Sequence, residues 1–488
     1  VTNNAVLTIA PGTVIRCKMT DVSLTPGTLI ITRGAKIMAQ GTASQPIVFT
    51  SINSVATGRN AGDWGGVVIC GNGVINTGGI STNPNVSKIE GFVTVDPKRY
   101  YGGNDDSDNS GVLSYVRIEF AGVALDPLQS NSEINGLTLG GVGSGTKIDH
   151  VQVSFCGDDA FEWFGGTVDA KYLIAYRTTD DDFDTDYGFR GRVQFGLGVK
   201  DPDIWDAISG GASNGFECDN NGTSPYLALP LTKAVFSNMT MIGAKGDGSV
   251  YGAGTLPSGE AHEAAAHIRR NAAQSVVNSL FLGYEKGFRF QNSVTQDNFN
   301  SVATDSSAYY TNDVITADIA STYITESATV FTQNWYHTYA SAQNIDTVTT
   351  TTQINFVNAF APLGNARDYR LNAASTASTG ATFTSPAFVG GFTGVNEVSA
   401  LVANSFVVFP NPATSNVSIS FSIVDKNKVT VTVYDILGNV VSTLSQSNDF
   451  EKGNNTISLN TSNLSSGMYT ISLDINGSKE TKKLIINH

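Results

Sequence analysis

The chain has 488 residues, of which 50 are glycine and only 15% are charged, and its net charge is −14. This length exceeds a single ordinary core, so two or more structural units are expected, and abundant Gly, Thr, Ser and Asn favour an all-β chain. The acidic balance argues against nucleic acid or anionic lipid as a partner. No apolar run reaches the roughly 18 residues that a membrane-spanning helix needs.

The N-terminal part repeats a short phrase of apolar strand and glycine. Residues 7–15 (LTIAPGTVI) are echoed at 24–31 (LTPGTLII), and related phrases follow at 34–41, 46–49 and 64–69. Strands this short cannot bury their apolar faces singly, but the stacked turns of a parallel coil bury all of them. The pattern therefore predicts a β-solenoid.

The central part repeats more plainly. Residues 151–161 (VQVSFCGDDAF) align with 173–183 (LIAYRTTDDDF) at an offset of about 22 residues, the length of one coil of a right-handed parallel β-helix. Asn238 and Asn278 follow similar phrases, and each is expected to begin an inward Asn ladder at a bend of the coil. Residues 260–270 (EAHEAAAHIRR) contain strong helix formers, so a helix or a short loop is expected there.

Acidic residues occupy equivalent positions of the two central repeats. The offset stacks three like-charged pairs about 4.8 Å apart: Asp158 on Asp180, Asp159 on Asp181, and Glu162 on Asp184. Strand alternation would place Asp182 and Asp186 on the same face as Asp180 and Asp184. Such pairs repel unless they are solvated, share protons or hold a cation.

Three interpretations of these acids stay open. The first is a calcium site, because hard oxygen ligands suit Ca²⁺; its ligands would be Asp158, Asp159, Asp180, Asp181, Asp182 and Asp184. The second is a catalytic carboxylate pair of a glycosidase, drawn from Asp159, Asp181, Asp182 and Glu162. The third is a solvated acidic ridge with no specific role.

A separate loop at 104–111 (NDDSDNSG) places Asp106, Asp108 and Ser110 at alternating positions before a glycine, as in the front half of a calcium loop. Its twelfth position is Arg117, so it is not an EF-hand. Asp106 and Asp108 are candidate Ca²⁺ ligands, and an uncommitted Asp/Asn/Gly turn is the alternative.

Aromatic and sulfur-containing residues leave two further alternatives. Trp64, Trp163 and Trp205 lie along the predicted solenoid, either as a sugar-binding platform beside the acids or as core anchors. The four cysteines are too sparse for a disulfide scaffold; either they form bridges or they stack as buried thiols, and the bridges would be Cys17–Cys70 and Cys156–Cys218.

These repeats resemble bacterial surface proteins of the parallel β-helix class, from residue 5 to about 300 and again at 368–371 and 380–383. The resemblance implies a pectate-lyase-like solenoid over 1–395. Residues 303–345 lose the phrase and are expected to be an insertion with some helix. The fold alone fixes no activity, because β-helices include lyases, glycosidases and adhesins.

The C-terminal segment, 405–488, has short alternating strands separated by Asn, Gly and Ser, which predicts a small antiparallel, immunoglobulin-like β-sandwich. It contains in order PNPA (410–413), VYDILG (433–438), LSSGMY (464–469) and KKLII (482–486). This order resembles the type A C-terminal sorting domain of the type IX secretion system. The matching positions are Pro410, Asn411, Pro412, Tyr434, Gly438, Gly467, Tyr469, Lys482 and Lys483.

The resemblance implies that a translocon and its outer-membrane shuttle barrel protein recognise residues 405–488, with a linker at 396–404. The chain would then pass through the periplasm to the cell surface or the medium, released or anchored to surface polysaccharide. Because no basic and apolar leader follows Val1, we expect a mature chain whose signal peptide has been removed.

Two functions follow as hypotheses. The favoured one is a non-enzymatic, adhesive or glycan-binding surface protein, with Ca²⁺ as its expected cofactor. The alternative is a secreted polysaccharide lyase or glycosidase with its groove on coils 150–220. A lyase also needs a basic residue near the metal, and Lys171, Arg177, Arg190 and Arg192 lie close in sequence.

Overall fold

The computed structural model describes the chain apart from residues 20–26, 57, 78–84, 91–95, 124–132, 207–212, 245–261, 301–309, 312, 316–320, 326–344, 346–348, 360–366, 373–374, 376, 378–405, 424–425, 436–438 and 476–477. Residue contacts divide it into two units, Val1–Gly391 and Phe392–His488. The predicted linker at 396–404 lies outside the described residues. No helix in the described parts is both long and apolar enough to cross a membrane.

Unit 1 is built on two long parallel sheets, which confirms the predicted parallel β-helix. The first sheet has 13 strands: β1 (Val6–Ile9), β2 (Val14–Cys17), β4 (Lys36–Gln40), β5 (Ile47–Ser51), β9 (Gly111–Glu119), β11 (Lys147–Ser154), β13 (Ala170–Tyr176), β15 (Arg192–Val199), β17 (Val235–Ile242), β19 (Ser275–Val277), β20 (Leu280–Leu282), β22 (Tyr310–Thr311) and β23 (Val314–Ile315). The second sheet has nine: β3 (Thr28–Ile31), β6 (Gly66–Cys70), β10 (Leu137–Val142), β12 (Phe161–Gly166), β14 (Phe183–Asp186), β16 (Phe216–Cys218), β18 (Ala264–Ile268), β21 (Lys286–Phe290) and β24 (Ser321–Thr325).

Unit 1 also contains shorter strands and helices outside the two long sheets. They are β7 (Ser87–Lys88), a 3₁₀ helix (Pro97–Arg99), β8 (Tyr100–Tyr101), α1 (Ser293–Asn300), α2 (Thr351–Ile354), β25 (Phe356–Asn358) and β26 (Asp368–Leu371). Strands β22, β23 and β24 pair in parallel with β19, β20 and β21. The predicted insertion at 303–345 therefore contains strands that continue both sheets, and most of its remainder lies outside the described residues.

The register of the coils confirms the sequence repeat. Val151 pairs with Leu173 in the first sheet, and Phe161 pairs with Phe183 in the second. Phe161, Phe183 and Phe216 stack inside the coil with ring centroids 5.5 and 5.6 Å apart. Burying each ring contributes roughly 1.5–3 kcal/mol, so the inward column of aromatic residues stabilises the stacking of the coils.

The strands of the first sheet bend at residues with left-handed backbone. Asn238 and Asn278 both have φ of 55°, which asparagine tolerates better than most residues. They lie at a bend, as expected, but Asn238 lines a concavity on the outer face of the sheet, so the inward direction expected for it is wrong. In the preceding coils the same bend holds bulky side chains, for which this conformation costs roughly 1–2 kcal/mol each: Tyr115, His150, Tyr172 and Phe195.

The helix considered for 260–270 is wrong where the structure describes it. Ala264–Ile268 is strand β18, fully buried and paired in parallel with β16 on one side and β21 on the other. Small alanines fit between two neighbouring coils, so packing overrides the local helix propensity.

The four cysteines, all of them described, are free thiols. Of the two alternatives, the bridges Cys17–Cys70 and Cys156–Cys218 are therefore not formed. Cys70, Cys156 and Cys218 are buried and Cys17 is half-buried. Burial raises the pKa of the Cys70 thiol to about 12, so this thiol is unreactive at neutral pH.

Unit 2 contains two antiparallel sheets that enclose one apolar core, as in a small β-sandwich. One sheet has β27 (Val407–Phe409), β28 (Asn416–Ile423) and β31 (Gly453–Asn460); the other has β29 (Asn427–Tyr434), β30 (Val440–Phe450), β32 (Gly467–Ile475) and β33 (Ser478–Ile486). Alternate residues face inward: Val417, Ile419 and Phe421 come from β28, and Val429, Val431 and Val433 come from β29.

Candidate functional site

A cavity of about 450 Å³ is lined by residues from the second sheet and its adjoining turns. We call it the acidic groove, because among the described residues twelve carboxyl side chains line it: Glu90, Glu133, Asp158, Asp159, Glu162, Asp180, Asp181, Asp184, Asp186, Glu217, Asp219 and Glu263. Four basic side chains also line it: His267, Arg269, Arg270 and Arg289. The sequence repeat thus brings the predicted acidic pairs into one concavity.

Strand alternation explains why these acids face outward. In β14, Phe183 and Thr185 are buried in the coil, whereas Asp184 and Asp186 lie on the outer face. Parallel register then aligns one residue per coil along the groove, which we call the central column: Glu162, Asp184, Glu217, His267 and Arg289. The column is acidic in the earlier coils and basic in the later ones.

In the described part of the chain, two groups of three carboxylates have side-chain oxygens close enough together to hold a cation. Asp158, Asp159 and Asp180 form one group, and Asp159, Glu162 and Asp184 form the other. In each group one oxygen per residue lies within 4.8 Å of the others. Asp159 belongs to both groups, so the two groups share one carboxylate.

Side-chain to backbone hydrogen bonds fix this arrangement from coil to coil. Asp159 Oδ1 accepts a hydrogen bond from the Asp181 amide at 2.8 Å, and Asp181 Oδ1 accepts one from the Asn214 amide at 2.5 Å. Asn214 Oδ1 in turn accepts one from the Ala264 amide at 3.1 Å. Asn135 Nδ2 donates to Glu162. These carboxylates are therefore held in place without a ligand.

Burial and mutual repulsion raise the pKa values of the acids in the earlier coils. The pKa values of Asp159, Glu162 and Asp184 lie well above their ordinary values for both reasons. Burial and Glu217 raise the pKa of Asp181 to about 8, although Lys200 opposes them. Neutral pH therefore leaves part of this cluster protonated unless a cation binds.

The later coils behave in the opposite way because arginines compensate the acids. Burial alone would raise the pKa of Glu217, but Arg269 and His267 outweigh it and lower that pKa to about 2. Arg269 Nε also lies 2.7 Å from Asp219 Oδ1, and Arg289 pairs with Glu263. This end of the groove is a network of ion pairs.

Asp182 does not belong to the groove, which corrects its assignment as a metal ligand and catalytic candidate. Its side chain is buried inside the coil, where Oδ1 lies 3.2 Å from Lys200 Nζ and accepts a hydrogen bond from Thr178 at 3.0 Å. Strand alternation does not apply to Asp182 because the strand begins only at Phe183. The turn before the strand places both Asp180 and Asp181 in the acidic groove.

The arginines considered for a lyase lie elsewhere. Arg177 pairs with buried Asp201, Arg190 with Asp106 and Arg192 with Asp169. The groove instead uses Arg269, Arg270 and Arg289, which sequence reasoning missed together with Glu90, Glu133 and Glu263. A signal for Arg289 was present, because Phe followed by a charged residue recurs at 161–162, 183–184, 216–217 and 288–289.

The second candidate calcium loop is held by protein partners. Asp106 accepts hydrogen bonds from the Val74 amide at 2.9 Å and from Arg190 at 3.0 Å. Asp108 accepts one from Asn72 at 2.8 Å and one from Ser110 at 2.9 Å. Among the described residues, the acidic trios with converging oxygens do not include Asp106 or Asp108, so the structure favours the turn.

Of the described tryptophans, Trp64, Trp163 and Trp205 do not line the acidic groove, so they form no sugar platform there. Trp64 and Trp163 are fully buried in the core of the coil, and Trp64 Nε1 donates to the Glu119 carbonyl at 2.9 Å. Trp205 is half-buried against His262. The alternative of core anchors is therefore the correct one for Trp64 and Trp163.

The described residues with sorting-domain resemblance lie close together in unit 2, because Tyr434 pairs with Thr470, and Thr470 pairs with Lys483. Exposed Asn411 donates from Nδ2 to the Lys483 carbonyl at 2.7 Å and accepts from the Ile485 amide at 2.9 Å. The turn at Pro410, Asn411 and Pro412 is thus joined to strand β33, which also exposes Lys482 and Lys483.

The remaining sorting residues shape the turns between strands. Tyr469 donates from its hydroxyl to the Ser465 carbonyl at 2.9 Å, just before Gly467 begins β32. Tyr434 ends β29 and pairs with Thr470. Gly438 lies outside the described residues.

Family models match both units. A model described as a pectate-lyase like beta helix domain matches residues 1–358, and one described as a secretion system C-terminal sorting domain matches residues 407–487. No curated protein matches the chain significantly. Because the first match covers most of the chain, the protein belongs to the pectate-lyase-like β-helix family, and its sorting domain makes it a cargo of the type IX secretion system, exported to the cell surface or secreted.

Proposed function

We propose that this exported β-helix is a glycan-binding, adhesive protein whose acidic groove holds Ca²⁺ and, through it, an acidic glycan. The observation that carries the proposal is the convergence of two carboxylate trios on Asp159. Ca²⁺ takes six to eight oxygen ligands, more than one trio supplies. Sugar hydroxyl or carboxylate oxygens would complete the coordination.

The distribution of charge in the groove supports a cation at its acidic end. In the described part of the chain, the groove arginines form their ion pairs with Glu217, Asp219 and Glu263. Asp158, Asp159, Asp180, Glu162 and Asp184 cluster in the earlier coils. Their repulsion must be relieved by protons or by a bound cation.

We expect Ca²⁺ to raise the melting temperature, and to do so more at pH 8 than at pH 5. The raised carboxyl pKa values mean that the folded state keeps protons that the unfolded state releases above about pH 4. Without a cation, stability is therefore full at low pH and is lost as pH rises through the folded pKa values, about 8 for Asp181. Thermal melts with millimolar Ca²⁺ or chelator at both pH values measure this.

Asp159→Asn should abolish the Ca²⁺ response, because it removes a ligand from both trios. Asp186→Asn is the matched control, since Asp186 lines the groove but belongs to neither trio. An acidic-glycan array, read with Ca²⁺ and with chelator, tests the binding function. Identical melting curves, or glycan binding that ignores the chelator, would contradict the proposal.

A glycosidase is the second candidate, favoured by the opposite pKa shifts of Glu162 and Glu217. Both lie in the central column two coils apart, so their backbones are roughly 9–10 Å apart, near the carboxyl separation of inverting enzymes. Glu162 would be the protonated acid and Glu217 the ionised base. Glu162→Gln and Glu217→Gln should each abolish glycan turnover but not binding, in an assay of reducing ends. Absence of turnover by the unaltered protein would leave binding as its function.

A further inference from the structure

A second concave surface lies on the outer face of the first sheet. It encloses a volume of about 570 Å³ and is formed by four successive coils, β9, β11, β13 and β15. One wall is the set of side chains at the left-handed bend, which we call the aromatic ladder: Tyr115, His150, Tyr172 and Phe195. The acidic groove is on the second sheet, so the two surfaces share no residue.

The rings of the aromatic ladder stack along the coil. Centroids are 4.2 Å apart between Tyr115 and His150, 4.4 Å between His150 and Tyr172, and 5.1 Å between Tyr172 and Phe195. Their planes are inclined by 13°, 23° and 15° respectively. The stacked rings form a continuous strip whose edges are available to solvent, and Tyr172 is 45% exposed.

The aromatic residues of this strip are more strained in the left-handed backbone conformation than asparagine would be. Asn238 and Asn278 serve the same bend in later coils with a side chain suited to it. The four ladder residues hold bulky rings in the same conformation, and one of them, Tyr172, is 45% exposed. Strained positions of this kind concentrate at ligand-binding surfaces.

The floor of the surface is amphipathic and carries little net charge. Beside the ladder lie Gln152, Ile174 and Leu197, one from each of three coils. Arg117 also lines it, but its guanidinium pairs with Glu119. In a chain of net charge −14, a neutral surface of aromatic edges, aliphatic side chains and amides suits an uncharged ligand with both C–H and hydroxyl faces.

We propose that the aromatic ladder and this floor are a second binding site, which takes a neutral polysaccharide lying along the coil axis. Coils repeat about every 4.8 Å, which is comparable to the length of one pyranose unit. Each coil therefore presents one ring and one floor residue per sugar. Tyr and His polar atoms can bond hydroxyl groups, while the aliphatic floor covers C–H surfaces.

The test uses the full chain in chelator, so that the acidic groove cannot contribute through a cation. Affinity electrophoresis in gels containing a soluble β-glucan, mannan or xylan should show retardation by at least one of them. Tyr172→Ala should weaken that binding at least tenfold, and Tyr172→Phe, which keeps the stacked ring, should weaken it less. Leu229→Ala is the control, because Leu229 is 75% exposed and lines neither surface, so it should bind as the unaltered protein does.

Two further measurements keep the proposal open to refutation. Ile174→Arg fills the floor without altering the ladder, so this variant should also lose polysaccharide binding. It serves as an independent test if Tyr172→Ala unfolds the coil. No retardation in any neutral gel, or undiminished binding by both variants, would overturn the proposal. So would sedimentation showing that the unaltered chain self-associates and that Ile174→Arg makes it monomeric, because the surface would then be covered by a second copy.

Discussion

Lys200→Met is expected to destabilise the β-helix by about 3–5 kcal/mol, the usual loss when one partner of a buried ion pair is removed. Lys200 is 1% exposed and Asp182 is 0% exposed, and their charged atoms are 3.2 Å apart. Without the ammonium group, Asp182 stays in the core with no compensating charge. Burial already raises the pKa of Asp182 to about 6, so the variant must protonate it at neutral pH. Urea unfolding measures the change.

The double variant Lys200→Met, Asp182→Leu separates stability from function. Replacing a whole buried pair by apolar residues is often neutral, so most of the lost stability should return. The Ca²⁺ response should not return, because Lys200 also donates to the carbonyl of Asp180 and so anchors the turn that carries Asp180 and Asp181. A single variant that loses less than about 1 kcal/mol would show that Lys200 is not a structural anchor.

Deleting residues 405–488 is expected to abolish export and leave the β-helix in the periplasm, because the sorting domain is the part that the type IX machinery handles. Unit 1 has its own core, so the truncated protein should still fold and resist proteolysis there. Cell fractionation with immunoblotting measures the distribution. Normal surface or medium levels of the truncated protein would refute the assignment.

A finer version of this experiment replaces Asn411 by alanine. The substitution removes the two hydrogen bonds that join the turn at 410–412 to strand β33, at a cost of about 1–2 kcal/mol. Export should fall although unit 2 remains folded. Asn439→Ala is the control, because Asn439 is exposed and bonds locally to Asp435.

The repeat at 151–161 and 173–183 was enough to predict the coil register, and with it the stacking of Glu162 on Asp184. The prediction was correct because two residues separated by one coil length occupy the same face of neighbouring coils. Sequence order could not show where a strand begins, so Asp182 was placed on the wrong side. Likewise, Ala264–Ile268 forms a strand only because two neighbouring coils pair with it.

Two of the groove arginines, Arg269 and Arg270, were beyond simple repeat reasoning. Arg269 and Arg270 follow the strand phrase rather than lying within it. They approach Glu217 and Asp219 only after about fifty residues of intervening chain have closed one further coil. A phenylalanine followed by a charged residue predicts which side chains face the groove. Which opposite charge each of these side chains meets depends on the length of the turn between the strands.

From Glu162 to Arg289, the side chains of the central column change from carboxylates to an imidazole and then a guanidinium group. A linear polymer lying in this groove meets different electrostatic surroundings at its two termini. Reversing such a polymer end for end would exchange those surroundings, so in the proposed glycan-binding role we expect the groove to bind a linear polysaccharide in one preferred direction. The proposed site would thus set the direction of a bound chain before any individual sugar is recognised.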